Sequence, residues 1–465
     1  MRNHSVAIMV VLAGILLLPV RASALEVKVR GERLSIRAQD VPLREVLDRL
    51  AEDGVKVVAP PGIHPRITAE FRDKPLHEGF GAILKPYGYV LFWERNRSGR
   101  DLQLSEIHLF PPGSRTPGDA SAAEETFALA KNPRDGSLYV QNEILIQARP
   151  GVDRDLIERL IAGVGGILLE KSESLGIYRV WLPDGIDIPE FLEQLDKKEG
   201  RLVAEPNHAH PILTPRWWAG VVLPPEGEAF PALSGESGAP VAVMDSGLLA
   251  GYGLEENVIA SLDAVRPGMP LTDGLGHGTQ MALIAGGMVR PMGAAVGDPV
   301  ASPPIIPIRA FDDNGITSNF AILRGIEFAV QNGARVLSMS WGSETPSRFL
   351  GEAMKYADRS GLIVVASAGN EPTGRPVYPA AYPSVLGVGA LAPDGSLWPQ
   401  SNHGDFVSVT APGYAHLPVG YKGEAGLYAG TSVAAAYVSN IVSGLLTAHP
   451  DWRKADIVNY LKRKR

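Results

Sequence analysis

The feature that most constrains the fold lies in the second half of the chain, where short, almost entirely apolar stretches alternate with helical patterns. Five such stretches occupy residues 240–244, 305–308, 336–339, 362–366 and 385–389. Strands that are apolar on both faces, with helices between them, are typical of a parallel sheet that helices cover on both sides. We therefore predict an α/β domain with a mostly parallel sheet over residues 214–465.

Length and composition exclude several classes of protein. The chain has 465 residues, which is enough for about three domains. Its 45% hydrophobic and 20% charged residues are close to the globular average. The net charge of −7 gives no indication of nucleic-acid binding. The absence of cysteine from the sequence excludes disulfides, a thiol nucleophile and cysteine-ligated metal sites.

Residues 1–24 have the pattern of a secretory signal. Arg2 gives a basic start, an apolar run covers residues 6–18, and Ala22, Ser23 and Ala24 supply the small residues of a cleavage site. The apolar run is too short to span a bilayer as a helix. We expect an exported protein, located in the periplasm or outside the cell, and an uncleaved N-terminal anchor is the alternative.

A repeated strand–helix–strand pattern fills residues 25–111. The phrase Asp-Val-Pro-Leu at residues 40–43 returns as Asp-Lys-Pro-Leu at residues 73–76. Each phrase predicts an Asp at the start of a helix and a Pro in its first turn. The doubled pattern resembles the short N-terminal domains of secretins and TonB-dependent receptors, which implies a cell-envelope partner. An unrelated α+β module is the alternative.

Two further segments precede the α/β domain. Residues 112–137 are rich in Pro, Gly, Ser, Thr and Ala, which favours a flexible linker. Residues 138–213 show patterns in the order strand–helix–strand–strand–helix–strand, which predicts a second small α+β domain of the ferredoxin-like kind. His208 and His210, near its end, are interpreted as part of a solvated linker rather than as metal ligands.

Four polar side chains fall at strand ends or helix starts of the α/β domain, where open parallel sheets carry their functional sites. Asp245 follows the first apolar stretch, and His277 stands in a Gly-His-Gly-Thr phrase that opens a helix. Asn370 follows the stretch at 362–366, and Ser432 precedes a long apolar helix. An Asp, a His and a Ser in hydrogen-bond contact can make the serine hydroxyl a nucleophile. Each of them alone is more often a cap or a turn residue.

The order Asp, His, Ser along the chain and the phrases around these residues resemble the subtilisin-like serine proteases, or subtilases. The supporting phrases are Gly-His-Gly-Thr at 276–279, Ser-Met-Ser-Trp-Gly at 338–342, Ala-Gly-Asn at 368–370, Tyr-Pro-Ala-Ala-Tyr-Pro at 378–383 and Gly-Thr-Ser at 430–432. The resemblance covers residues 240–450. It implies a subtilisin-like fold and an endopeptidase that forms an acyl-enzyme with polypeptide substrates.

The resemblance also implies a role for each side chain. Ser432 is the implied nucleophile, His277 is its general base, and Asp245 orients His277. Asn370 and the backbone N–H of Ser432 are the implied hydrogen-bond donors to the oxyanion. A peptide substrate would lie as an added strand beside the family's binding segments. The implied substrate-binding residues are Ser340, Trp341, Gly342 and Gly369.

The resemblance extends to residues 138–213, which are similar to subtilase propeptides, so the chain's own propeptide-like domain is an expected partner. No cofactor is expected, and Asp-Asp-Asn-Gly at residues 312–315 is interpreted as a solvated turn rather than a calcium loop. Gln280 and Ala436 depart from the family's usual His and Pro but lie outside the implied triad. Two alternatives stay open: a cell-envelope binding protein with a silent protease domain, and an esterase on the same scaffold.

Overall fold

The structure is a computed structural model of the chain. It describes residues 25–30, 33–58, 65–84, 88–95, 102–110, 127–149, 151–152, 154–198, 201–213, 215–218, 236–295, 298, 300–422 and 425–463. The signal predicted at residues 1–24, and residues 112–126 of the predicted linker, lie outside the described residues. The chain divides into two compact units, Met1–Ser121 and Ala122–Arg465.

The first unit, as far as it is described, contains two small sheets and two helices. Its elements are β1 (Glu26–Arg30), β2 (Arg33–Pro42), α1 (Leu43–Glu52), β3 (Lys56–Val58), β4 (Arg66–Pro75), α2 (Leu76–Ile83), β5 (Gly88–Arg95) and β6 (Leu102–Phe110). The sheets have the orders β1-β2-β4 and β3-β6-β5. The two copies of the repeat are β2-α1-β3 and β4-α2-β5. Leu34, Leu47, Phe80 and Ile83, which come from both copies, share one apolar core.

Asp40 and Asp73 do not begin the helices, so this part of the sequence-based prediction is wrong. Both lie inside the preceding strands, with φ of 51° and 54°, and the helices begin at Leu43 and Leu76. Aspartate tolerates this left-handed conformation better than most residues do. The pairing of β2 with β4 shifts register beside Asp40. The strand therefore bulges there and continues to the proline.

The second unit begins with a ferredoxin-like region, residues 127–213. Its elements are β7 (Leu129–Lys131), β8 (Leu138–Ala148), α3 (Arg154–Gly163), β9 (Ile167–Ser172), β10 (Ile177–Trp181), α4 (Ile188–Lys198) and β11 (Leu202–Pro211). The sheet order is β11-β8-β10-β9, which is that of a ferredoxin-like fold. Ile157 of α3 and Leu195 of α4 pack with Ile144 and Ile146 of β8 in a common core.

The α/β region, residues 236–463, follows a short strand, β12 (Arg216–Trp218). Its elements are β13 (Glu236–Ser237), β14 (Val241–Asp245), a 3₁₀ turn (Glu255–Asn257), β15 (Leu262–Asp263), α5 (His277–Ala285), β16 (Ala301–Ser302), β17 (Ile305–Arg309), β18 (Ile316–Ser318), α6 (Asn319–Gln331), β19 (Val336–Met339), α7 (Arg348–Arg359), β20 (Ile363–Ser367), β21 (Leu386–Leu391), β22 (Val407–Pro412), β23 (Tyr414–Leu417), β24 (Gly426–Ala429), α8 (Thr431–Ala448) and α9 (Lys454–Arg463).

A parallel sheet of seven strands forms the centre of this region, in the order β15-β17-β14-β19-β20-β21-β22. The five apolar stretches of the sequence are its five inner strands, which confirms the predicted fold class. Alternate residues of β14 face opposite sides of the sheet. Val241 and Val243 pack in the apolar cluster that contains α5 and α8, whereas Ala242 and Met244 pack with α6 and α7. Helices therefore cover both faces.

The strand order places a functional site at the end of β14. The chain forms β17 on one side of β14 and then crosses over to form β19 on the other side. Ligand sites of open α/β sheets lie at such a reversal, at the carboxyl ends of the strands. Helix α8 is long and apolar enough to cross a membrane by length and composition, but 83% of it is buried. It is a core helix of the region.

Two predictions about the edges of the ferredoxin-like region are wrong. Strand β7 lies inside the segment predicted as a linker, and Leu129 pairs there with Val140 of β8. His208 and His210 lie within β11, where they are 7% and 1% exposed rather than solvated. His208 pairs with Tyr139 of β8. Strand β11 then continues beyond its own sheet, so that His210 pairs with Thr317 of β18 in the α/β region. The sequence alone does not show that the strand acquires this second partner.

Candidate active site

Asp245 and His277 form a buried ion-pair geometry at the carboxyl end of β14. His277 Nδ1 lies 2.7 Å from Asp245 Oδ1, and the backbone N–H of Ser246 donates to the same oxygen at 2.8 Å. His277 is 0% exposed and Asp245 is 1% exposed. Because Nδ1 faces the carboxylate, the other ring nitrogen, Nε2, is the one able to accept a proton. In the described part of the chain, that nitrogen has no hydrogen-bond partner.

Two glycines allow this close approach of strand and helix. Gly247 has φ of 125°, and a Cβ there would lie 1.7 Å from the carbonyl oxygen of Thr272. A Cβ on Gly278, in the first turn of α5, would lie 2.3 Å from the carbonyl oxygen of Gly247. A side chain at either position would push α5 away from the end of β14. The glycines of the two motifs therefore bring His277 to Asp245.

A buried carboxylate that the sequence analysis missed ties the two motifs together. Asp273 accepts hydrogen bonds from Ser246 Oγ at 2.7 Å and from the backbone N–H of Gly276 at 2.9 Å. Its second oxygen accepts from both the N–H and the hydroxyl of Thr279, at 2.8 and 2.7 Å. Ser246 Oγ accepts in turn from the N–H of Gly278. The sequence signal that could have revealed it is an Asp shortly before the His motif. Asp273 holds the start of α5 beside Ser246.

Ser432 and Asn370 meet at the start of α8. Ser432 is the second residue of that helix, where backbone N–H groups have no partner within the helix. Its Oγ lies 3.4 Å from the carbonyl oxygen of Ser340, a long contact that holds the hydroxyl weakly. Asn370 Oδ1 accepts from the N–H and the hydroxyl of Thr431, both at 2.9 Å. These two bonds fix the orientation of the amide, so its nitrogen lies on the side away from Thr431.

Two of the four predicted substrate-binding residues, Gly342 and Gly369, line a cleft that also contains Asn370, whereas Ser340 and Trp341 are buried and do not line it. The cleft has a volume of about 580 Å³, and Gly342, Gly369, Asn370 and Val377 are among its lining residues. A Cβ on Gly342 would lie 2.3 Å from Val377 Cγ1, so a larger residue there would require Val377 to shift. Gly369 also lines the cleft and has φ of 104°. The cleft also contains residues 211–213 and 215–216, from the end of the ferredoxin-like region and the start of β12.

Trp341 is fully buried, between the two regions of the second unit. Its ring packs edge-on against Phe311 at 6.2 Å and lies 5.1 Å from the ring of His210. Among the described residues, its Nε1 finds no hydrogen-bond acceptor. Trp341 therefore forms a wall against which the chain from the ferredoxin-like region packs.

A polar seam of buried side chains, which sequence reasoning did not find, joins β11 to the helices of the α/β region. Glu205 accepts from Ser347 Oγ and, at 3.0 Å, from the N–H of Arg348 at the start of α7. Asn207 Oδ1 accepts from the N–H of Phe320 at the start of α6. Burial raises the pKa of Glu205, although the hydrogen bonds from Ser347 and Arg348 oppose that shift.

The residues considered for metal binding are not arranged as a metal site. Within the described ranges, no group of three or more His, Asp or Glu side chains is placed to hold a metal ion. Asp312 is not solvated as predicted, because it is 2% exposed and accepts from the N–H groups of Asn314 and Ile316. Burial raises its pKa. Asp313, in contrast, is exposed and pairs with Arg309.

The two positions that depart from the family pattern lie close to the site without joining the Asp245–His277 pair. Gln280 is buried in α5 and donates through Nε2 to the carbonyl oxygen of Val419 at 2.8 Å. Ala436 is buried in α8, within the apolar cluster that covers the sheet. Each therefore serves the packing around the site.

Comparisons with known proteins show which families the second unit matches. The model of the subtilase family matches residues 236–465, and the model of the fervidolysin N-terminal prodomain matches residues 126–207. Subtilisin Savinase of Lederbergia lenta is 33% identical over 230 residues, which cover 49% of this chain and 82% of that protein. Subtilisin E of Bacillus subtilis (strain 168) is 32% identical over 231 residues, which cover 49% of this chain and 60% of that protein.

Among solved structures, fervidolysin from Fervidobacterium pennivorans, described as a keratinolytic enzyme related to subtilisin, superposes with a TM-score of 0.54. The match is 24% identical and covers 70% of this chain and 57% of that chain. At this identity the likeness concerns the fold. The chain spans about 60% of the length of the first curated relatives that it matches.

Proposed function

The chain belongs to the subtilase family, and we propose from this premise that it is an exported serine endopeptidase that hydrolyses peptide bonds through an acyl-enzyme on Ser432. The observation that carries the proposal is the buried Asp245–His277 pair at 2.7 Å, in the same region as a serine at the start of α8. A purely structural role for Asp245 and His277 would not explain why the second ring nitrogen of the paired imidazole lacks a partner among the described residues.

The proposed roles follow from the geometry and the chemistry of the side chains. Asp245 holds His277 in the tautomer with the proton on Nδ1 and stabilises the imidazolium that forms when Nε2 takes the proton of Ser432. The N–H of Ser432 and the amide of Asn370 are aimed at the developing oxyanion. Donors that are held in advance stabilise this charge more strongly than water does.

The proposed substrates are polypeptides, bound in extended form along Ser340, Trp341, Gly342 and Gly369. An added strand that pairs through its main chain suits a cleft with one wall of glycines. Residues 126–207 match a prodomain model, so we propose that this region is an intramolecular partner of the protease. No cofactor is required by a mechanism in which Ser432 and His277 carry the chemistry.

Export is proposed from the signal pattern at residues 1–24, with the periplasm or the cell exterior as destination. The first unit is proposed to dock a cell-envelope partner, on the strength of its resemblance to the short N-terminal domains of secretins and TonB-dependent receptors. Its two-sheet structure around a doubled strand–helix–strand repeat supports a folded module rather than a tether.

The test is to incubate the purified chain, its Ser432→Ala variant and a Ser439→Ala control with a peptide mixture and to map the cuts by mass spectrometry. Ser439 is a buried serine of the same helix that bonds the carbonyl oxygen of Ala435. Loss of the nucleophile is expected to lower turnover by a factor on the order of 10⁶, whereas the control keeps cutting. Equal cutting by the Ser432→Ala variant would contradict the proposal, and no cutting by any variant would favour a binding module.

A further inference from the structure

The first turn of α5, which carries His277, takes its hydrogen-bond acceptors from outside the helix. Backbone N–H groups in the first turn of a helix have no partner within it, and the residue before this helix is a glycine, which has no side chain to supply one. Asp273 and Ser246 fill this role. The N–H of Gly278 donates to Ser246 Oγ and the N–H of Thr279 donates to Asp273 Oδ2, both at 2.8 Å.

His277 is thereby held through both of its neighbours in the chain. The N–H of Gly276 donates to Asp273 Oδ1 at 2.9 Å. Gly278, on the other side, is bonded to Ser246 Oγ, which donates its own proton to the same oxygen of Asp273 at 2.7 Å. The two side chains, which we call the Asp273–Ser246 pair, therefore fix the main chain immediately before and after the imidazole.

The same pair reaches the carboxylate of Asp245. The N–H of Ser246 donates to Asp245 Oδ1 at 2.8 Å, and this oxygen lies 2.7 Å from His277 Nδ1. Ser246 thus contacts Asp245 through its main chain and Asp273 through its side chain. A displacement of Ser246 would move both partners of the Asp245–His277 pair at once.

Burial and the direction of each hydrogen bond make this arrangement rigid. Asp273 is 3% exposed. Ser246 Oγ accepts from the N–H of Gly278, and Thr279 Oγ1 accepts from the N–H of Leu249 at 2.9 Å. Each hydroxyl is then left with its own proton to donate, and both protons go to Asp273. Hydrogen bonds to a carboxylate are stronger than those between neutral groups.

Only a carboxylate satisfies all four donors around Asp273. Its Oδ1 accepts from Ser246 and Gly276, and its Oδ2 accepts twice from Thr279. An asparagine has one acceptor oxygen, so in either orientation its NH2 group would face a main-chain N–H that cannot turn away. That N–H would be buried without an acceptor, which costs free energy and displaces the turn.

We propose that Asp273 is a positioning residue of the peptidase, which acts through Ser246 and the first turn of α5 to hold His277 against Asp245. This inference rests on the proposed peptidase activity. The competing role is that of a helix cap, which would contribute to stability alone. The two roles differ in kcat, because a misplacement of about 1 Å can lower the rate by about 10²-fold. Neither residue of the Asp273–Ser246 pair is among those that line the cleft, so KM should hold.

The first test measures kcat and KM on a short peptide, together with the melting temperature, for Asp273→Asn and Ser246→Ala. We expect kcat per folded enzyme to fall by about 10- to 100-fold in both, with KM changed by less than about twofold. Normal kcat in the two folded variants would overturn the inference and leave the peptidase activity standing. Absence of cutting by the unaltered chain would overturn the proposed activity itself.

The matched control holds the opposite end of the same helix. Asn440 is buried in α8 and donates to the carbonyl oxygens of Ala285, the last residue of α5, and of Ala301. Asn440→Ala therefore loses buried hydrogen bonds as Asp273→Asn does, and should lower the melting temperature while kcat per folded enzyme stays within about twofold. An equal loss of kcat in the control would show that any loosening of α5 has this effect, and would overturn a specific role for Asp273.

A milder pair of variants decides the matter if Asp273→Asn does not fold. Thr279→Val keeps the shape of the side chain but removes its hydroxyl, and Thr279→Ser restores the hydroxyl. We expect kcat to fall by about threefold or more in the first and to return to within about twofold of normal in the second. Equal kcat for the two variants would overturn the inference.

A spectroscopic readout separates positioning from stability. In the Ser432→Ala background, the ¹H NMR resonance of the proton between His277 Nδ1 and Asp245 reports the length of that charge-assisted hydrogen bond. It should shift or broaden in Ser246→Ala and stay in place in Asn440→Ala. A resonance that is the same in all three proteins would show that the Asp273–Ser246 pair does not set the geometry of His277, and would overturn the inference.

Discussion

The two regions of the second unit satisfy their buried polar groups in different ways. In the α/β region, the buried carboxylate of Asp273 beside the site is paired within the region, because it accepts from Ser246 and Thr279. In the ferredoxin-like region, the polar groups of β11 that face the protease are paired across the boundary. Glu205 and Asn207 accept from backbone N–H groups at the starts of α7 and α6.

Apolar packing shows the same asymmetry. Leu145 and Ile177, from the central strands of the ferredoxin-like sheet, belong to the apolar cluster that contains α6 and α7 of the α/β region. Ser172 Oγ and Arg324 add polar contacts across the same boundary, to Glu327 and Glu170. The ferredoxin-like region thus needs the α/β region to cover one face of its sheet.

The largest expected effect tests whether the site is complete within the α/β region. Asn370→Ala should lower turnover by roughly 10²–10³, about 2.7–4 kcal/mol, because it removes one oxyanion donor. Substrate affinity should change little, because the donor acts on charge present only in the transition state. Turnover, affinity and melting temperature are measured on the same protein. The control is Asn332→Ala, since Asn332 donates to the carbonyl oxygen of Phe328 at the end of α6. A folded Asn370→Ala enzyme with normal turnover would show that Asn370 is not part of the mechanism.

The next effect tests the dependence of the ferredoxin-like region on its neighbour. In a Ser432→Ala background, which removes the proposed nucleophile, Glu205→Ala should lower the free energy of unfolding by about 1–3 kcal/mol, because Ser347 and Arg348 lose a buried acceptor. Glu173→Ala is the matched control, since Glu173 is 79% exposed in its pair with Lys171, and should change stability by less than about 0.5 kcal/mol. Denaturant unfolding measures both, and equal effects would contradict the asymmetry.

A pH-dependent effect should come from His210 of β11. Burial, opposed by the hydrogen bond with Asn319 and assisted by the charge of His208, lowers the pKa of His210 from 6.5 to about 4. The unfolded chain therefore binds a proton below pH 6.5 that the folded chain does not, so stability falls as the pH decreases from 6.5 towards 4. The slope is at most about 1.4 kcal/mol per pH unit, or about 2 kcal/mol by pH 5.

The comparison that isolates this contribution is His210→Phe in the same Ser432→Ala background. Phenylalanine stacks on Trp341 but does not titrate, so the difference in unfolding free energy between the two proteins should change with pH over this window. Unfolding at several pH values between 4 and 7 measures it. Parallel curves for the two proteins would show that His210 does not titrate as expected.

The smallest effect is expected from the first unit. Deletion of residues 25–111 should leave the hydrolysis of short peptides almost unchanged, because the proposed catalytic residues all lie in the α/β region. Localisation or the choice of protein substrates should change instead. Peptide turnover of the deleted and full-length proteins is the measurement, and a soluble, folded deletion that no longer cuts peptides would show that this unit belongs to the catalytic machinery.

The sequence predicted the parts of the fold that depend on local patterns. The inner strands of the parallel sheet were visible because burial on both faces leaves a run such as Val-Ala-Val-Met at 241–244. The edge strands β15 and β22 were missed, because an edge strand is short or partly polar. Asp40 and Asp73 were misplaced, because the bulge that accommodates them depends on pairing with another strand.

By itself the sequence also determined the candidate triad, since Asp245, His277 and Ser432 each stand in a phrase whose glycines and apolar neighbours fix a strand end or a helix start. Only the tertiary structure decided what surrounds them. The hydrogen bonds from Ser246 to Asp273 and from Ser347 to Glu205, and the contact of His210 with Asn319, join residues that are distant in the chain. A periodic pattern reports which side of an element is buried, but the partner of a buried polar group is set by which elements the fold brings together.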